Sequence, residues 1–87
     1  MQADKQKVVR LLKTAKGQLD GILKMVEEDR YCIDISNQIL ATESVLRRAN
    51  KEVLHAHMSH CVKQAVEHGD EDQKIEEMLE VLDKMLR

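Results

Sequence analysis

Between Ile33 and Val66 the chain contains neither glycine nor proline, and no other feature restricts its folding as strongly. Within that stretch apolar residues stand at Ile35, Ile39, Leu46, Ala49 and Val53, in steps of three, four or seven, a spacing that follows one stripe of an α-helix. The pattern predicts a single helix from Tyr31 to Val66, with Cys32 near its start and His55, His57, His60 and Cys61 near its end. At a rise of about 1.5 Å per residue, the distance from Cys32 to Cys61 is roughly 43 Å. One chain therefore cannot close a ligand site or a disulfide with both thiols. Either the two ends of the helix serve separate purposes, or a second copy crosses it antiparallel near Leu46 and Arg47. In that arrangement Cys32 of one chain lies beside His57 and Cys61 of the other, and two-fold symmetry makes two such sites at once.

The remaining composition supports association. A chain of 87 residues reads as one domain, residues 1–87, too short to bury a large private core. Proline is absent and Tyr31 is the only aromatic residue, while Leu, Met, Val, Ile, Ala, Lys and Glu dominate, so the expected class is all-α. There is no charged and apolar leader, and no apolar run near the roughly 18 residues of a membrane span, so the chain is expected to be cytoplasmic. In that reducing compartment two cysteines point to a metal, a redox sensor or a buried thiol before a structural disulfide.

A first helix is expected from Asp4, a plausible N-cap, to about Glu28, with a core stripe of Val8, Leu12, Ala15, Leu19, Ile22 and Val26. Lys7, Arg10, Lys13 and Lys16 recur every three residues and form a basic stripe that rotates slowly around it. Gly17 and Gly21, one turn apart, suggest close packing against another backbone. Glu27 to Arg30 form a polar connection, and Asp34 suits the first turn of the long helix. Gly69 ends that helix, and Asp70 or Asp72 is suited to cap a third, whose stripe is Ile75, Met78 or Leu79, Leu82 and Leu86. This last helix is expected to pack across the ends of the other two, near Cys61. The net charge is −2, yet residues 1–16 carry five cations against Asp4, and residues 67–87 carry eight acids against three bases. Arg47, Arg48 and Lys51 add a second basic cluster at the middle of the long helix.

Two thiolates and one imidazole suit Cu(I), which accepts few ligands, whereas a closed structural zinc site takes four. His57 is the best-placed imidazole, because it precedes Cys61 by four residues and shares its face, while His60 is turned about 100° away. A Cys-His nucleophile pair finds no oxyanion-hole element, glycine-rich loop or substrate pocket in three amphipathic helices, so an enzyme is not expected.

These residues, over nearly the whole chain, resemble the copper-sensing operon repressor (CsoR) family of bacterial regulators. The matching text is Gly17-Gln18-Leu19-Asp20-Gly21-Ile22 with Met25, then Asp29-Arg30-Tyr31-Cys32-Ile33-Asp34-Ile35, Gln38-Ile39, Arg48-Ala49-Asn50, Leu54-His55-Ala56-His57 and His60-Cys61. The resemblance implies a three-helix protomer with one long central helix, assembled as an antiparallel dimer and then a tetramer. It implies a repressor that holds operator DNA when metal-free and is released by Cu(I). The family's ligands fall on Cys32, His57 and Cys61, with Cys32 donated across the dimer, and its outer residues fall on Tyr31 and Glu77.

Relatives with the same implied fold sense other inducers. Nickel and cobalt sensors carry an early histidine and a histidine where Cys61 stands, and here no histidine precedes His55. Formaldehyde sensors use an N-terminal proline, which this chain lacks. Persulfide sensors keep the two cysteines at this spacing and link them between chains through sulfur, and this is the alternative reading. For DNA, the resemblance matches Arg48, but Leu11 stands where an arginine of the first helix is expected, with Arg10 or Lys13 as substitutes. The candidates for DNA contact are Lys5, Lys7, Arg10, Lys13, Lys16, Arg47, Arg48 and Lys51. With no helix-turn-helix legible, binding is expected to be electrostatic, shape-directed and steeply salt-dependent.

Overall fold

A computed structural model describes residues 1–69 and 71–86, the side chains of Glu71 and Leu86 excepted. Three helices follow one another, α1 (Lys5–Glu27), α2 (Cys32–His68) and α3 (Glu71–Leu86). The expected all-α, three-helix protomer with a long central helix is what forms. Asp4 caps α1 as its sequence position suggested, its Oδ1 accepting from the Gln6 and Lys7 amides at 3.0 and 3.3 Å, which satisfies two donors that the first turn leaves open.

The polar connection after α1 is more ordered than its composition suggests. The Arg30 amide donates to the Met25 carbonyl and the Asp29 amide to that of Val26, the paired bonds of a Schellman motif. The residue that must take left-handed backbone there is Asp29, with φ 52°, a conformation that aspartate tolerates better than most side chains. This turn folds α2 back antiparallel along α1. At the other end Gly69 stops α2 as predicted, with φ 75° and its amide on the Ala65 carbonyl at 2.7 Å.

The seam between α1 and α2 is built from small and β-branched side chains. Val8, Ala15 and Ile22 of α1 are buried, as are Thr42, Val45 and Ala49 of α2. Ala15 and Ala49 let the two backbones approach, and Thr42 is accommodated because its hydroxyl donates back to the Gln38 carbonyl at 3.1 Å. Only alternate members of the expected α1 stripe are therefore covered. Leu12, Leu19 and Val26 stay exposed, and on α2 so do Ile39 and Leu46. The hairpin thus presents an open apolar flank that a single protomer does not cover.

Four expectations are corrected, wholly or in part. Gly17 and Gly21 have no neighbour within 4 Å of where a Cβ would stand, so they do not admit a close backbone within the protomer. Among the described residues the third helix packs on α2 and not on α1, lying against the later turns of α2 after Gly69 ends that helix. Its α2-facing side is Lys74, Met78 and Val81, all half-buried; of the expected stripe Met78 is thus on this side, Ile75 borders it beside Val62 and Val66, and Leu79 and Leu82 are exposed. Asp72 falls inside α3 and is not its cap; Asp70 and the Leu86 side chain lie outside the described residues.

Candidate metal centre

Four residues separate His57 from Cys61 on α2, and the helix period turns that spacing into adjacency. His57 Nε2 and Cys61 Sγ lie 3.3 Å apart. Normal metal–nitrogen and metal–sulfur bonds of about 2.0–2.3 Å therefore let one ion touch both atoms without rearranging the helix. Cys61 is only 5 % exposed, since Met78 and Val81 of α3 close over it. Together with Leu54 and Met58 these side chains enclose a recess of about 10 Å³, on the scale of one small sphere. The pair is soft, partly dry and open on the imidazole side, which fits a thiophilic ion with a ligand still to be added.

Glu77 reaches the same recess from α3. Its Oε1 lies 3.8 Å from His57 Nε2, an ion-pair distance too long for a hydrogen bond, while its Oε2 is 3.7 Å from Lys74 Nζ. The nitrogen facing Glu77 is thus the one that also faces Cys61, so the carboxylate does not hold the opposite ring nitrogen. Lys74, which the sequence reading passed over, is the fourth polar group of this corner. Its spacing of three from Glu77 on an acidic helix was the available signal.

Cys32 and Tyr31 stand at the far end of α2. Tyr31 is its N-cap without a side-chain capping bond and is 67 % exposed, and Cys32 is a free, exposed thiol. Among the described residues of one protomer, no group of three His, Cys, Asp or Glu side chains is placed to hold a metal. The phase of the helix nevertheless relates the ends. Over the steps from Cys32 to Cys61 the two side chains return to within about 20° of one another, on the flank where Ile39 and Leu46 are exposed.

The eight candidate cations divide into groups. Lys7, Arg48 and Lys51 line a groove of about 300 Å³ between α1 and α2, on the opposite side of the hairpin from the open apolar flank, and Glu52 lies among them. Lys7 Nζ and Glu52 Oε1 pair across the seam at 2.9 Å. Lys5, Arg10 and Lys13 line one side of α1 together. Lys16 and Arg47 are exposed and join neither group; Arg47 is turned about 100° from Arg48. Leu11, where an arginine was expected, forms part of the groove floor. No helix is long and apolar enough to cross a membrane among the described residues.

Comparison with known proteins identifies the family. Residues 4–84 match the family model described as metal-sensitive transcriptional repressor. The copper-sensing transcriptional repressor CsoR of Mycobacterium tuberculosis is 42 % identical over 80 residues, covering 92 % of this chain and 67 % of its own length. The protein of the same name from Bacillus subtilis is 39 % identical over 84 residues, covering 97 % of this chain and 83 % of its own. Among solved structures, the copper-sensing repressor CsoR with Cu(I) from Geobacillus thermodenitrificans superposes with a TM-score of 0.85 at 34 % identity, over 100 % of this chain and 94 % of that one. The nickel-responsive transcriptional regulator InrS superposes almost as well, with a TM-score of 0.84 at 32 % identity over 97 % of this chain and 94 % of that one.

Proposed function

This chain belongs to the family of metal-sensitive transcriptional repressors, and from that premise we propose that it is a Cu(I)-responsive repressor. It would hold operator DNA in the metal-free state and release it when copper binds to His57 and Cys61 of one chain and Cys32 of an antiparallel second chain. The observation that carries this reading is the His57–Cys61 pair, 3.3 Å apart in a small apolar recess, with the other thiol on the same stripe of the same helix but a helix-length away. Likeness of fold does not choose the metal, since a nickel-responsive and a copper-sensing relative superpose equally well. The donors do: two thiols and one imidazole are a soft, low-coordinate set.

The antiparallel pairing is supported by the open flank of the hairpin. Covering Leu12, Leu19, Ile39 and Leu46 against their equivalents would remove a continuous apolar surface from water. The same packing would bring Cys32, which lies on that flank, to the partner's metal pair, and two such dimers would form the tetramer. Copper, when bound, would link His57 and Cys61 of one chain to Cys32 of the other; what the chain's own residues would contribute is its transmission. With the metal on His57 Nε2 and Cys61 Sγ, Glu77, whose Oε1 lies 3.8 Å from that nitrogen, would take an outer position beside the ligated imidazole and couple coordination to α3. Tyr31, next to Cys32, would join that outer layer from the second chain. Differential stability of two arrangements of α3 and the dimer then supplies the coupling between metal and DNA.

The test is anaerobic. Protein bound to a DNA duplex is titrated with Cu(I), with Ni(II) and with polysulfide while release is followed by fluorescence anisotropy. Copper should release the protein at one equivalent per chain, and His57→Ala should keep DNA binding while losing that response. A His57→Ala protein that copper still releases, together with a stronger response to polysulfide, would overturn copper in favour of sulfur bridging between Cys32 and Cys61.

A further inference from the structure

The basic groove between α1 and α2 contains a carboxylate that the function proposed above does not use. Lys7, Arg48 and Lys51 surround Glu52, and Glu52 holds the Lys7 ammonium at 2.9 Å across the seam. Both partners of this pair remain substantially in solvent, so as a fastener it contributes little to stability. The seam beneath it is already closed by Val8, Val45 and Ala49. A glutamate carboxylate presents two anionic oxygens sharing one charge, and so does a DNA phosphodiester through its two non-bridging oxygens. Glu52 therefore occupies, in charge and shape, the position that a phosphate would take among these cations.

We infer that Glu52 is an internal stand-in for a DNA phosphate: it holds Lys7 in the groove and is exchanged for a backbone phosphodiester when DNA docks. This rests on the reading of the groove as part of the DNA-facing surface. Two consequences follow from charge alone. Docking must displace a carboxylate from Lys7 and bring a phosphate close to it, so Glu52 weakens DNA binding. The released carboxylate also gathers a cation from solution, which offsets part of the counterion release that drives association. Glu52 is turned about 140° around α2 from His57, so it sets DNA affinity from the side of the helix away from the metal pair.

The experiment measures binding of the metal-free full chain to a short double-stranded DNA of random sequence across a salt series. Random sequence suffices because the phosphate contribution does not depend on base order. Glu52→Gln should bind roughly fivefold tighter at low salt, the order expected for removing one charge at contact distance in water. The slope of log K against log salt should steepen by up to about 0.9, one further net phosphate neutralised. Glu52→Ala should act in the same direction, and both should bind Cu(I) as the wild type does. In a Lys7→Gln background the gain from Glu52→Gln should at least halve, because the two residues act as a pair. The inference is overturned if Glu52→Gln binds DNA equally or more weakly, or if its gain is undiminished without Lys7. A wild-type chain that binds no duplex would overturn the repressor reading together with it, whereas a binding wild type with an unchanged variant would overturn this inference alone.

Discussion

The two junctions of α2 are built in opposite ways. Along α1 it is sealed by interlocking Val8, Ala15, Ile22, Thr42, Val45 and Ala49, all buried and leaving little to rearrange. Against α3 it is covered by the half-buried Lys74, Met78 and Val81, around a recess whose polar members are His57, Cys61, Lys74 and Glu77. Few buried apolar contacts mean a low cost of local opening. A sensor gains from this division, because the hairpin can keep the basic groove in one shape while a ligand at the α3 corner changes what that corner does. A metal placed in the tight seam would have had nothing to move.

The comparison can be broken by experiment, beginning where the effect should be largest. On the proposed site, replacing Cys61 by Ala would remove a ligand and should lower Cu(I) affinity beyond the roughly 10–100-fold that loss of an outer-layer partner costs. Competition against a Cu(I) chelator measures it, and the apo protein should retain its helix content. Ala49→Leu forces extra methylenes into the seam and should destabilise the whole hairpin by about 1–3 kcal/mol, read as a lowered midpoint in urea. Gly69→Ala imposes a side chain on left-handed backbone and should cost about 1–2 kcal/mol, concentrated in the joint that sets α3 against α2. Met78→Ala should cost about 1 kcal/mol, below the range for fully buried methionines. Hydrogen exchange should show faster opening of α3 with the α1–α2 seam unchanged. If Met78→Ala loosened the seam as much as Ala49→Leu does, the two junctions would form one cooperative unit and the division drawn here would fail.

Much of this architecture was legible from residue order because it depends on local rules. The absence of helix breakers between Ile33 and Val66, the cap at Asp4, the stop at Gly69 and the four-residue step from His57 to Cys61 are each decided within a turn or two of chain. The antiparallel turn was less legible, since Asp29 takes a position where glycine would have announced it. The facing of α3 was legible only in part: Met78, offered as an alternative to Leu79, does face α2, but Lys74 and Val81 beside it were passed over because Leu79 and Leu82 continue an apolar stripe, and periodicity alone cannot tell which stripe the protomer covers. The pairing of Lys7 with Glu52 joins residues 45 positions apart, a separation at which no spacing rule operates.

The sequence by itself determined three helices, the long separation of the two thiols and the adjacency of one histidine and one cysteine, because helix geometry converts residue number directly into distance and direction. Tertiary structure decided which half of each apolar stripe is buried, that α3 rests on α2 and not, among the described residues, on α1, that Glu77 faces the same imidazole nitrogen as Cys61, and that a carboxylate lies among the groove cations. These depend on how whole helices meet, and a meeting of surfaces is fixed by the shape of all the side chains in it rather than by the periodicity of any one strip.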